Sequence, residues 1–204
     1  MDDGPRRYGP LAPSLPDGRI DLSALVEGGG PLELDIGFGR GRSLFERAEA
    51  APQVRLIGLE IKAKWAFKVE ARLRQRGLTN VRAFHADALD ALVRSGPEGC
   101  LQRVFVHFPD PWWKKRHAKR RVVGPVLLDE LARLLAPGGE LYVQTDVEER
   151  AADYRARIAA HPAFRLRSTP YLADNPFGAR SNREVRAEED GLPVYRILAE
   201  RQPA

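Results

Sequence analysis

The stretch Pro31-Leu-Glu-Leu-Asp-Ile-Gly-Phe-Gly-Arg-Gly41 decides the fold of this 204-residue chain. Its first half is typical of a β-strand that ends at Ile36, and residues 43–50, which follow the glycines, have a helical composition. Glycines at a strand-to-helix turn let the backbone approach a ligand closely, with the N–H groups of the helix facing that ligand. The stretch therefore predicts a strand–turn–helix unit with a ligand site at the carboxyl end of the strand.

The spacing of the glycines distinguishes between classes of cofactor. A dinucleotide site has the pattern G-x-G-x-x-G. Here Gly37 and Gly39 fit that pattern, but Arg42 occupies the third place and the extra glycine is Gly41. The pattern G-x-G-x-G suits a nucleoside-type cofactor without a pyrophosphate, such as S-adenosylmethionine. A nicotinamide dehydrogenase is disfavoured by Arg42, and a plain tight turn is the alternative to a cofactor site.

Strands and helices alternate from this turn to about residue 160. Further strands are predicted at residues 54–59, 81–85, 104–106 and 140–144, and helices at 62–76, 88–94, 127–135 and 148–160. This alternation is typical of an α/β fold with a doubly wound, Rossmann-like, mostly parallel sheet. Two closing strands near residues 164–167 and 194–199 suit an antiparallel hairpin at one sheet edge, which makes seven strands. Residues 171–186 have a loop-like composition.

The composition favours one domain in a reducing compartment. Residues 1–30 are rich in Pro and Gly and predict an irregular N-terminal arm before a domain at 31–204. Cys100 is the single cysteine, so no intrachain disulfide is possible. Asp2 and Asp3 stand where a signal peptide carries basic residues, and no apolar run is long enough to cross a bilayer. We therefore expect a cytoplasmic protein without a membrane partner.

A second stretch, residues 104–121, reads Val-Phe-Val-His-Phe-Pro-Asp-Pro-Trp-Trp-Lys-Lys-Arg-His-Ala-Lys-Arg-Arg. A strand leads to Asp110 between two prolines, then to Trp112 and Trp113, and then to a basic run without an acid. Phosphates attract cations and bases stack on aromatic rings, so nucleic acid is the polymer that suits this segment. A solvated basic face, core tryptophans and an ordinary turn are the alternatives. The carboxylate, the two tryptophans and the basic run occur together at the carboxyl end of a strand. This conjunction favours a site, because open α/β sheets bind ligands there. The net charge of +5 and the pI of about 9.6 also favour an anionic partner.

Two acids follow other predicted strands. Glu60 ends the second strand about 20 residues after the glycine turn, where a carboxylate can accept both ribose hydroxyls. A first-turn acid of the next helix is the alternative. Asp87 lies just past the third strand, where it either reaches an adenine amino group or caps the following helix. His85 and His107 close two strands without nearby cysteines or spaced acids, so no metal site is expected.

The helix predicted at residues 62–76 carries apolar residues at i+4 spacing. Trp65, Val69 and Leu73 form this stripe, which predicts that Trp65 belongs to the core rather than to a base-stacking surface. Its remaining positions are rich in Lys and Arg, which either extend an anion-binding surface or form a solvated face.

Taken together, these motifs resemble the tRNA (guanine-N7)-methyltransferase family, which uses S-adenosylmethionine. The resemblance covers roughly residues 31–200 and is most specific in Phe-Pro-Asp-Pro-Trp and Lys-Lys-Arg-His of the second stretch. It is carried by residues 34–41, 58–60, 85–87, 108–112, 114–117, 145–146 and 181–184. It implies a class I methyltransferase domain at residues 31–204 that methylates N7 of a guanosine in tRNA, at position 46 of the variable loop. It makes tRNA the partner, and we expect a monomer or a weak homodimer.

The resemblance also implies roles by position. The cofactor-binding set is Asp35, Gly37, Gly39, Gly41, Glu60, Asp87 and Asp110, with Asp110 also closest to the chemistry. The substrate-binding set is Lys114, Asp146, Ser181, Asn182, Arg183 and Glu184. We assign the phosphate contacts to the rest of the basic run, namely Lys115, Arg116, Lys119, Arg120 and Arg121.

The sequence departs from the usual family pattern at four of these motif positions. The family usually has Glu at Asp35, Pro at Trp113, Thr at Ser181 and an aromatic residue at Arg183. These changes leave two alternatives open: a related class I methyltransferase acting on another RNA or on a small molecule, and a catalytically inactive RNA-binding relative. The joint presence of the glycines with Glu60, Asp87 and Asp110 disfavours loss of the cofactor.

Overall fold

The computed structural model of the chain describes residues 8–109 and 123–203. The strands in chain order are β1 Ile20–Asp21, β2 Leu32–Ile36, β3 Arg55–Glu60, β4 Val81–His85, β5 Ser95–Gly96, β6 Leu101–His107, β7 Leu135–Thr145, β8 Phe164–Leu166 and β9 Tyr195–Arg201. The helices are α1 Arg42–Ala50, α2 Ala63–Gln75, α3 Ala88–Val93, α4 Pro125–Leu134, α5 Glu148–Ala160 and α6 Asn182–Glu189.

Seven of these strands form one sheet in the order β4-β3-β2-β6-β7-β9-β8. The first five in that order run parallel, and β9 is antiparallel to both β7 and β8. The predicted fold class is confirmed, including the antiparallel pair at one edge. The strand order changes direction between β2 and β6, and the crevice at such a switch point is where open α/β sheets bind ligands.

The two faces of β2 differ, because side chains alternate along a strand. In β2, Leu32, Leu34 and Ile36 belong to a core cluster that also includes residues of α3, α4 and α5. Glu33 and Asp35 point to the other face, where they are only 1% exposed. A second, smaller core beneath α1 and α2 contains Leu44, Val69 and Leu73.

The prediction that Trp65 lies in the core was wrong. Trp65 is half-buried, and it borders a surface groove beside Arg40. The buried face of α2 instead includes the small residues Ala63 and Ala66. The larger indole of Trp65 lies at the edge of this packed face.

The segment that was expected to be loop as far as residue 186 contains helix α6. Ser181 caps this helix, since its Oγ accepts a hydrogen bond from the Glu184 N–H at 3.1 Å. The pattern Ser-x-x-Glu is a known helix-start signal, and residues 182–189 include several charged residues. Two residues of the helix, Glu184 and Ala187, are buried against the rest of the protein.

Residues 8–30 have little regular secondary structure, yet they pack on the domain. Ile20 and Leu22 are fully buried in the main core, and Val26 is 3% exposed. Strand β1 pairs with β5 in a separate two-stranded sheet. Within the described part of the chain, no helix is both long and apolar enough to cross a membrane.

Candidate functional site

The glycine turn connects β2 to α1 at the switch point of the sheet. Gly37, Gly39 and Gly41 have φ angles of 76°, 58° and 83°, in the left-handed region that favours glycine. At Gly41 an added Cβ would also lie 2.7 Å from both methyl groups of Val69. At Gly37 and Gly39 it would meet no atom within 4 Å, so the turn presents bare backbone to open space. This surface fits the close approach of a small ligand.

Glu60 at the end of β3 holds the glycine turn in place. Its Oε2 accepts a hydrogen bond from Gly39 N–H at 2.9 Å, and its Oε1 accepts one from Lys62 N–H at 2.8 Å. The carboxylate is 5% exposed, and each of its oxygens has a second lone pair. Glu60 thus links the turn to the start of α2, and its ribose-binding role remains a prediction that this position supports.

Asp35 lies under the turn rather than on its surface. Its Oδ2 accepts a hydrogen bond from Ser43 Oγ at 2.6 Å and lies 3.9 Å from His107 Nε2. Burial raises the pKa of Asp35 above its ordinary value of 3.8, and His107 and the Ser43 hydroxyl oppose that rise. The hydrogen bond between Ser43 and Asp35 joins α1 to β2, the two elements on either side of the glycine turn. Direct contact of Asp35 with a cofactor remains a prediction.

Asp35→Asn is expected to change how stability depends on pH. A carboxyl whose pKa is raised by folding destabilises the folded protein as pH climbs from the ordinary value through the raised one. The amide cannot ionise, and its oxygen can still accept from Ser43. The free energy of unfolding of the variant minus that of the parent should therefore increase above pH 3.8 and then level off.

Chemical denaturation of both proteins across a pH series measures this difference. Ser43→Ala serves as a control, because it removes the hydrogen bond and leaves the carboxyl titratable. A difference between parent and Asp35→Asn that stays constant across the series would contradict the raised pKa.

Asp87 caps the helix that follows β4. Its Oδ1 accepts hydrogen bonds from Leu89 N–H at 2.9 Å and Asp90 N–H at 3.2 Å. The residue is exposed, and it lies at the carboxyl ends of the parallel strands, as the glycine turn does. The helix-cap alternative is therefore confirmed, and contact with an adenine amino group through the other oxygen remains a prediction.

Asp146 and Arg183 meet at the carboxyl end of β7. Their side chains form an ion pair, between Arg183 Nη2 and Asp146 Oδ2. The Asp146 side chain is 12% exposed and that of Arg183 is 48% exposed. The structure thus brings together two members of the predicted substrate-binding set that are 37 positions apart in the chain. A third member, Asn182, lines the neighbouring surface groove.

Glu184 lies behind this pair, in the interior. It is fully buried, and its Oε1 accepts hydrogen bonds from Arg196 Nη2 at 2.9 Å and Nε at 3.1 Å. Asn175 Nδ2 donates to its other oxygen at 3.2 Å. In this arrangement Glu184 and the cap residue Ser181 position α6, and a direct role of either in substrate binding remains a prediction.

Sequence patterns did not reveal the aromatic and ionic contacts that fix the segment around Phe177 to the sheet face that carries Glu33. Phe177 packs edge-on against Phe105 and Tyr142, with ring centroids 5.3 and 5.1 Å apart. The guanidinium of Arg103 lies 4.2 Å from the Phe177 ring. Glu33 pairs with Arg103 and also with Arg47, at 2.7 Å. The alternating acids of β2 were the available signal, since buried polar side chains need partners.

Several predicted site residues lie outside the described residues. These are Asp110, Lys114, Lys115, Arg116, Lys119, Arg120 and Arg121. Their assignments remain predictions. Strand β6 precedes them and ends at His107. This residue lies at the carboxyl ends of the parallel strands, as do the glycine turn and Glu60.

Comparison with known proteins decides the family. The family described as "Putative methyltransferase" matches residues 29–197. A tRNA (guanine-N(7)-)-methyltransferase of Synechococcus elongatus is 45% identical over 177 residues, which cover 85% of this chain and 83% of that relative. A Nostoc protein of the same name is 43% identical over 84% of this chain and 80% of its own length. The chain belongs to the tRNA (guanine-N(7)-)-methyltransferase family.

Solved structures support the fold of this family member. The 16S rRNA methyltransferase KamB superposes with a TM-score of 0.64 at 20% identity, over 89% of this chain and 91% of its own. TrmN from Thermus thermophilus gives a TM-score of 0.60 at 21% identity, over 84% of this chain and 44% of its own. At these identities the likeness shows a common fold, and substrates do not follow from it.

Proposed function

We propose that this protein transfers a methyl group from S-adenosylmethionine to N7 of a guanosine in tRNA. The similarity to curated tRNA (guanine-N(7)-)-methyltransferases, 45% identity across most of both chains, carries the proposal. The geometry supports it, because the open glycine turn, Glu60 and the Asp146–Arg183 pair occupy the same end of the sheet. We retain position 46 of the variable loop as the proposed target.

The residues of the chain would act mainly by positioning. When bound, S-adenosylmethionine supplies a methyl group on a sulfonium sulfur. Guanine N7 has an in-plane lone pair and no proton at neutral pH, so it needs no general base. Holding the reactants in line lowers the barrier by removing the entropy cost of their encounter. Asp110, directly after Pro109, is the proposed carboxylate that stabilises the positive charge as it moves onto the purine.

The Asp146–Arg183 contact suggests how guanine is recognised. Guanine presents N1–H and N2–H donors on one edge, and a carboxylate can accept both, whereas adenine lacks this donor pair. In the protein alone, the guanidinium of Arg183 donates to the Asp146 carboxylate. A guanidinium and the guanine edge both offer N–H donors in one plane. We therefore propose that the guanine edge replaces Arg183 on Asp146 when tRNA binds.

Methyl transfer to bulk tRNA tests the function. The purified chain, S-adenosylmethionine with a labelled methyl group and unmodified tRNA should yield labelled 7-methylguanosine after digestion. Cleavage of the product tRNA at 7-methylguanosine then locates the modified nucleotide. Label in another nucleoside, or in a small molecule, would favour the alternative substrates. S-adenosylmethionine binding without any transfer to RNA would favour the inactive relative.

Asp146→Asn is expected to lower kcat/KM for tRNA by about 30- to 160-fold, because one charged hydrogen bond contributes about 2–3 kcal/mol. The affinity for S-adenosylmethionine should not change. Arg183→Ala is the discriminating control, since it also breaks the ion pair but leaves the carboxylate in place. It should retain most of the parent kcat/KM. An equal loss in both variants would mean that Asp146 acts only by holding Arg183.

A further inference from the structure

A surface groove of about 770 Å³ runs between α1 and α2, apart from the predicted cofactor-binding residues. We call it the basic groove and define it by Arg40, Phe45, Trp65, Lys68, Arg72 and Arg76. None of these belongs to the site assigned above. The groove is nevertheless adjacent to that site, because Arg40 lies within the glycine turn and Asn182, at the start of α6, also lines it.

Helix α2 supplies the floor and most of the charge. Lys68, Arg72 and Arg76 recur every four residues and so form one row along the helix, with a rise of about 6 Å per step. All three are exposed. The opposite face of α2 packs on the sheet through Val69 and Leu73, which are 0% and 1% exposed. Burial of that apolar face therefore fixes the direction in which the basic row points.

Aromatic rings orient the cations of the groove. The guanidinium groups of Arg72 and Arg76 lie 5.3 and 4.7 Å from the centroid of the Phe45 ring. That of Arg40 lies 5.4 Å from the ring of Trp65. Contacts within about 6 Å are attractive and restrict the arginine side chains before any ligand binds. Because the guanidinium groups lie against these rings, the groove suits a charged backbone better than stacked bases.

The charges of the groove are only partly neutralised. Its lining includes two acids, of which Glu46 pairs with Arg42 at 2.6 Å and Glu49 with Arg76 at 3.1 Å. Among residues 8–109 and 123–203, no carboxylate lies within ion-pair distance of Arg40, Lys68 or Arg72. Three cations side by side repel one another, and an anionic occupant relieves that repulsion.

We propose that the basic groove is a second contact surface for tRNA, which binds the sugar–phosphate backbone of a helical arm away from the methylated guanosine. The inference rests on the proposed function. Lys and Arg contacts to phosphate carry affinity without reading sequence. The groove starts beside Asn182 at the start of α6, so one RNA molecule can occupy both surfaces. It would hold the substrate while the guanine enters the site.

The double variant Lys68→Gln/Arg72→Gln tests this surface in filter-binding assays with unmodified tRNA. Two lost phosphate contacts should lower affinity about tenfold near 0.1 M salt and reduce the slope of log K against log[salt] by about 1.4–1.8. KM for tRNA should rise with kcat unchanged. Arg72 Nη2 also donates to the Arg40 carbonyl at 2.9 Å. Lys68→Gln alone preserves that bond and should give about half the change in slope.

The matched control is Arg165→Gln/Arg167→Gln. This variant removes the same amount of positive charge. Arg165 lies in β8 and Arg167 directly after it, at the edge of the sheet farthest from α2. Their side chains are 59% and 51% exposed. Equal losses in both double variants, or an unchanged salt slope in the groove variant, would overturn the proposal. So would tRNA binding that persists while binding of polyglutamate is lost, which would assign the groove to an acidic protein. Failure of the parent to methylate tRNA is a separate result that rejects the proposed function itself.

Discussion

Glu184→Ala is expected to lower the free energy of unfolding by about 3–5 kcal/mol, because it leaves a buried guanidinium without its main partner. The Arg196 side chain is 9% exposed and that of Glu184 is 0% exposed. Glu188 also lies near Arg196, with its carboxylate at 3.2 Å, but its side chain is 40% exposed. The same change also removes an acceptor of Asn175, on the segment that precedes α6. Urea denaturation of parent and variant measures the loss.

Arg165→Ala is the matched control for that experiment. Its pair with Glu200 is exposed, and Arg167 still contacts the same carboxylate, so the loss should stay within about 0.5 kcal/mol. A loss below about 1 kcal/mol for Glu184→Ala would contradict the prediction, because it would show that Arg196 tolerates the loss of its buried partner. Glu184→Gln separates structure from recognition. If stability is retained while kcat/KM for tRNA collapses, Glu184 contacts the substrate rather than only positioning α6.

Glu60→Ala should raise the dissociation constant for S-adenosylmethionine several-hundredfold, about 3–4 kcal/mol, because the two proposed charge-assisted hydrogen bonds from the ribose hydroxyls are lost. Within the protein the same carboxylate accepts from the Gly39 N–H, so the glycine turn also loses its anchor to β3. Its other oxygen accepts from the Lys62 N–H at the start of α2. Calorimetry with S-adenosylmethionine measures the effect independently of methyl transfer.

Glu98→Gln is the control for charge, since this exposed acid lies between β5 and β6, before the amino end of β6. Its cofactor affinity should equal that of the parent. Glu60→Gln keeps one acceptor oxygen and should lose about tenfold, as expected for one charged hydrogen bond. Thermal denaturation of each variant shows whether the fold persists. A folded Glu60→Ala protein with parent affinity would exclude Glu60 from the cofactor site.

Local sequence patterns predicted those elements whose conformation depends on neighbouring residues. The Leu-Glu-Leu-Asp-Ile alternation and the glycines after it predicted β2 and the turn, and both are present. The repeated strand–helix order predicted a parallel sheet, and the two closing strands predicted its antiparallel edge. Ser-Asn-Arg-Glu at residues 181–184 had the composition of a loop, yet Ser181 caps α6 and the buried Glu184 gains its partner Arg196 from β9.

The sequence by itself determined the fold class, because glycine conformation and side-chain alternation act over a few neighbouring residues. Its motifs also determined the family, and they predicted a candidate site at the carboxyl ends of the parallel strands. Only the tertiary structure decided which distant residues meet. It placed Arg183 on Asp146, buried Glu184 against Arg196, and left Trp65 beside Arg40 in the basic groove. These contacts depend on how helices pack across the sheet, and long-range packing leaves no periodic signal along the chain.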